Sequence, residues 1–166
     1  MYRGLGVAAV FLMLVPAAGA DPTFVIQRDV SIGGFPRDGK LPAAIATFGQ
    51  PGRKDAAFQS CRFVWPRWGV TMNTHYPGGT LDPCGHEARH VSTTVTDSRW
   101  RTSAGLKIGD PAARIRARYR SAVNEGRGVW RLTTRMFAGL PFAGLEAKVV
   151  KGRVVSFTVH GPRSPW

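Results

Sequence analysis

Hydrophobic positions along the chain fall into short runs broken by Gly and Pro, and this spacing predicts short elements. Phe24-Val25-Ile26 and Val30-Ser31-Ile32 read as strand material ended by Gly33-Gly34. Leu41 to Phe48 reads as a helix, with Pro42 near its start and Gly49-Gln50-Pro51 just past its end. A polar loop follows. Cys61 to Trp65, Trp68 to Thr74 and the β-branched run Val91 to Thr96 then read as strands. In the remainder, Asp110-Pro111 marks a helix entry, with Asp110 as N-cap. Ala112, Ile115, Tyr119 and Ala122 follow at spacings of 3, 4 and 3, which makes one apolar stripe. Gly128 to Met136, Leu145 to Val150 and Val154 to His160 are strand candidates, and Lys151-Gly152-Arg153 is the hairpin turn between the last two.

Two similar halves emerge, each with a Pro-Ala-Ala helix followed by strands containing Trp. The expected class is α+β, built from two small tandem modules of short helices packed on antiparallel sheet. The joint falls near Asp97-Ser98-Arg99, giving modules at 21–97 and 98–166 after a leader at 1–20. That leader has a basic start at Arg3, an apolar run from Gly4 to Val15, and Ala18 and Ala20 before a cleavage point, the pattern of a secretory signal peptide. Its run is too short to span a bilayer comfortably.

Export makes the two cysteines readable. Cys61 and Cys84 are expected to be bonded in an oxidising compartment. It also changes the meaning of the charge. The 166 residues carry 23 Lys and Arg against 10 Asp and Glu, a net charge of +13. Loss of the leader with Arg3 leaves 146 residues at +12. A basic exported protein is directed to acidic protein or anionic envelope polymer rather than to nucleic acid as its native partner.

Thr102-Ser103-Ala104-Gly105-Leu106-Lys107-Ile108-Gly109-Asp110-Pro111, the helix after it and the closing Gly-Arg-Val-Val-Ser hairpin carry a resemblance. The second half resembles one module of the family that includes the β-lactamase inhibitor protein and the small lipoprotein of the outer-membrane barrel-assembly machine. The resemblance implies an envelope or secreted protein whose modules each set two short helices on an antiparallel sheet. The lipoprotein's anchor Cys has no counterpart here, and the inhibitor's contact residues match no positions in this chain.

His86-Glu87-Ala88-Arg89-His90 fits the H-E-x-x-H pattern of zinc hydrolases. That chemistry needs both His on one helix face, with Glu polarising the attacking water. Asp82-Pro83-Cys84-Gly85 leaves no room for preceding helical turns, and Val91 to Thr96 has strand character. A polar loop is the reading taken, with a metal site on His86 and His90 as the alternative. No Gly-x-Ser-x-Gly elbow occurs. His75 and His160 sit on strand-like segments, and Glu87, Glu125 and Glu146 are the only Glu.

The candidate binding residues are basic and aromatic. Arg114 and Arg118 fall on one side of the Ile115/Tyr119 stripe, and Arg116 and Arg120 on the other. Either their stems cover the apolar edges of a solvated helix, or they form an anion-facing surface. Trp68 beside Arg67 has the make-up of an interface hot spot. The expectation is a monomeric, non-catalytic secreted or cell-wall-associated binding protein without cofactor. A zinc hydrolase and a purely structural envelope protein are the alternatives.

Overall fold

A computed structural model describes residues 22–76 and 82–162. The leader, its cleavage point and Trp166 lie outside the described residues. The elements in chain order are β1 (Val25–Gln27), β2 (Ser31–Ile32), β3 (Phe35–Pro36), α1 (Leu41–Phe48), β4 (Arg53–Ala57), β5 (Ser60–Trp65), β6 (Val70–His75), β7 (Arg89–Val95), β8 (Arg101–Thr102), α2 (Arg114–Arg118), β9 (Val123–Gly126), β10 (Val129–Phe137), β11 (Leu140–Val150) and β12 (Arg153–His160). A 3-10 turn, Pro66–Trp68, joins β5 to β6.

This corrects the expected class. The described residues are β-rich, with two sheets and two short α-helices, rather than a pair of modules with helices laid on sheet. Each half has one α-helix where the resemblance implied two. Four strands fall where the pattern predicted loop or nothing: β3, β4, β8 and β9. Every residue of β4 and β9 is exposed. A strand with no buried face has no alternation to read.

The second helix is also shorter than its stripe. It covers five residues and ends at Tyr119, where φ is −131°. Its N-cap is Ala113, not Asp110. Residues before it bridge instead to the β11–β12 turn: Ala112 N–H donates to the Gly152 carbonyl at 2.8 Å, and Pro111 pairs with Arg153. Val154 N–H donates to the Asp110 carbonyl at 2.9 Å, and so occupies the acceptor that an N-cap at Asp110 would offer to the first helical bond. Ile115, Tyr119 and Ala122 are buried all the same, so the stripe located the core contact without fixing the helix length.

The larger sheet has eight strands in the order β4-β5-β6-β7-β12-β11-β10-β9. Two four-stranded meanders therefore meet through their last strands, β7 and β12, which pair antiparallel. Its inner face carries Phe63, Trp65, Met72, Val95, Leu145, Phe157 and Val159, all nearly inaccessible to solvent. The small sheet, order β3-β2-β1-β8, and both helices contribute Ile26, Phe35, Phe48 and Ile115 to the same core. Burial of each large apolar side chain favours the fold by about 1.5–3 kcal/mol. The outer face is polar. Thr71, Thr94, Thr158, Glu146 and Arg131 stand in one register row across five strands.

Cys61 and Cys84 are bonded as expected, with S–S 2.07 Å. The bond ties β5 to the connection between β6 and β7. None of the described helices is long and apolar enough to cross a membrane.

Candidate anion-binding surface

Sequence-predicted site residues scatter in the structure. His86 is exposed in a turn, whereas His90 lies in β7 and is buried. No helix carries them, so the pairing that H-E-x-x-H chemistry requires is missing. Both ring nitrogens of His90 are engaged, Nδ1 with the Arg37 carbonyl and Nε2 with Thr93 Oγ1 at 2.8 Å. Burial pushes the His90 pKa down, and hydrogen bonds to backbone oppose this only in part. Glu87 pairs with Lys40, which holds its pKa down. Among the described residues no group of three His, Cys, Asp or Glu is placed to hold a metal ion.

Trp68 is another correction. It is buried, its Nε1 donates to the Phe48 carbonyl at 2.8 Å, and its own carbonyl accepts from Trp100 Nε1 at 2.7 Å. Arg67 does lie over its ring, 4.4 Å from the centroid, but as a cover on a core residue. The pair has the composition of a hot spot without its exposure.

The four arginines around α2 do not share one face. Arg114 pairs with Asp110 at 2.8 Å. Arg116 lies 5.7 Å from the Trp130 ring centroid. Arg118 has its guanidinium near Gly105. Arg120 follows the end of the helix and is exposed. Much of this agrees with Arg stems covering apolar edges.

What the strands bring together is a different set of cations. Arg127-Gly128 and Lys151-Gly152 are two-residue turns, closed by Gly126 opposite Val129 and Val150 opposite Arg153. Both central residues of each turn have positive φ, near 49° and 75°, the geometry that suits hairpin twist. Gly128 has a second reason to be Gly: a Cβ there would come within 2.2 Å of the Val149 carbonyl oxygen. Its absence lets the Val149 N–H donate to the Gly128 carbonyl at 2.7 Å, which seats the first turn against β11. Lys148 Nζ donates to the Arg127 carbonyl, and Arg153 Nη1 to the Gly109 carbonyl at 2.9 Å. Lys107 sits in the neighbouring turn, its N–H bonded to Asp110. Five basic side chains thus surround two adjacent turns at one end of the large sheet.

Acidic groups do little to offset them. Asp29, Asp55, Glu87, Asp97, Asp110, Glu125 and Glu146 each pair with a basic side chain of the same chain. From Ala147 to the C-terminus the sequence has no Asp or Glu at all. The acid-free tail and the Lys-Gly-Arg turn were the available sequence signals. Arg127 and Lys107, 20 and more residues away from the turn, were missed because only strand register and the bonds of Gly109 to β12 bring them to this end.

Comparison with known proteins adds outlines only. No family model matches the chain, and no curated protein matches it. Among solved structures, an extracellular protein containing an SCP domain from Bacillus anthracis str. Ames is similar at TM-score 0.48 and 8% identity, over 93% of this chain and 50% of that one. A cysteine-rich secretory protein from Staphylococcus aureus subsp. aureus Mu50 is similar at TM-score 0.47 and 14% identity, over 85% of this chain and 48% of that one. This chain spans about half the length of each.

Proposed function

We propose that the protein is an exported, non-catalytic binding protein of the extracellular or cell-wall space whose target carries acidic groups. One observation supports this most. The acids are largely consumed in internal ion pairs, while cations collect at one end of the large sheet. Such a surface attracts an acidic partner and steers its approach. The disulfide and the leader pattern support export. The hydrolase alternative has no such support, because His90 is buried with both nitrogens bonded.

Two measurements test the reading. The exported protein should have the intact mass of a chain beginning at Asp21; a chain that still carries Met1 would be anchored instead. Freed of its leader, the chain should sediment with isolated envelope material at low salt and come off as the screening length shrinks from about 10 Å at ~0.1 M to about 3 Å at ~1 M. Retention in high salt would replace the electrostatic reading with an apolar one. Failure to sediment at low salt would remove the acidic target.

A further inference from the structure

We infer that the turn end of the second meander binds a linear polyanion, a chain of repeated phosphate or other acidic groups, rather than a single small anion or a folded acidic protein. This deepens the reading above and rests on it. The argument is about how the cations are mounted. Arg127 and Lys151 occupy the tips of two rigid hairpin turns, and one extra strand pair separates those turns. At about 4.8 Å per strand, the tips stand about 10 Å apart. Lys148 Nζ donates to the Arg127 carbonyl of the first turn, and Arg153, which flanks the second, donates to the Gly109 carbonyl of the loop that carries Lys107. Charges spread along an edge can each meet a successive group of an extended chain.

A folded protein target would call for an apolar or aromatic anchor among the charges. The large exposed apolar side chains are at the opposite end. Phe58, Met136 and Leu140, with exposures of 88%, 64% and 71%, flank the β4–β5 and β10–β11 turns. Register places both of those turns at the end of the sheet away from Lys151. Among the described residues, the exposed apolar side chains at the cationic end are smaller ones such as Val150 and Val155. The aromatic nearby, Trp130, is half-buried and approached by Arg116. Among the described residues, none of the buried polar side-chain atoms that lack a partner lies on either turn, where a single anion would need one.

The test uses sodium polyphosphates of about 3, about 15 and about 60 units, titrated against the exported chain, since added groups act through effective concentration. Affinity should rise at least about tenfold from the shortest to the longest. Arg127→Asn with Lys151→Asn should weaken binding of the longest chain by about tenfold and lower the slope of log affinity against log salt by about 1.4. Asn tolerates the positive φ of both positions, so this variant keeps the turns. Arg114→Gln with Arg118→Gln should change binding much less. Equal affinity for all three lengths would overturn the polymer and point to a one-anion site. A larger loss in the Arg114/Arg118 variant would move the site to α2. Envelope sedimentation without polyphosphate binding at low salt would overturn this inference and leave the acidic target standing. Absence of both would end both.

Discussion

The two meanders share a strand pattern and close it by different means. In the first, β4–β5 turns through Phe58-Gln59, β5–β6 through a 3-10 turn, and β6–β7 through a long connection held by Cys61–Cys84. In the second, every connection is a two-residue turn ending in Gly: Arg127-Gly128, Ala138-Gly139 and Lys151-Gly152. One half gains order from a covalent bond across a long loop, the other from backbone geometry in short ones. The difference carries over to chemistry. A two-residue turn has no slack, so the backbone at its tip is held in place, and in two of the three turns the residue there is a cation.

The largest expected effect tests the covalent half. Cys84→Ser should lower unfolding free energy by about 3 kcal/mol in the chain-entropy picture. Hydrogen exchange should speed up first in β5 and β6. Equal loosening of β10 to β12 would mean that the meanders unfold as one unit, and the contrast would then be geometric only.

Next comes the geometric half. Gly128→Ala combines a positive φ with a Cβ pressed on the Val149 carbonyl, and should cost about 2 kcal/mol by denaturant melting. Gly152 has the same φ and open space around it, so Gly152→Ala should cost less, leaving strain without the clash. Equal costs would show that the seating against β11 is unimportant.

A smaller effect should appear with pH and belong to the first meander. Burial holds the folded His90 pKa below its ordinary value of about 6.5. The unfolded chain therefore binds a proton at a pH where the fold does not. The His90 contribution is complete above about pH 6.5 and is lost as pH falls below it. His90→Gln should flatten the stability curve over that interval. A parent curve already flat there would show that the ring is not kept neutral by the fold.

The smallest effect is a gain. Ala138 sits at φ 48°, where a residue with a Cβ is strained and Asn is tolerated. Ala138→Asn should raise stability by about 0.5 kcal/mol, read as a small upward shift of the melting midpoint. The same exchange at Phe58, outside a Gly turn, should give no such gain.

Sequence alone reached whatever is written in neighbouring residues. Pro42 and Gly49-Gln50-Pro51 bracket a helix whose ends match α1 at Leu41 and Phe48. Lys151-Gly152 marked its hairpin, the cysteines their bond, and the stripe Ile115, Tyr119 and Ala122 its contact with the core. In each case the signal is local sterics or burial periodicity, which the chain carries wherever it goes. The tertiary structure decided the rest. It made strands of β4 and β9, whose exposed residues alternate with nothing and which exist because a neighbour offers hydrogen bonds at the sheet edge. It buried Trp68 under Arg67 because Phe48 and Trp100 supply partners for its indole and its carbonyl. It cut α2 short by giving the Asp110 carbonyl to Val154 in β12, and the register of β9 to β12 assembled Arg127, Lys148, Lys151 and Arg153 into one surface. Pairing between distant strands is set by which registers bury the core, and no local pattern states it.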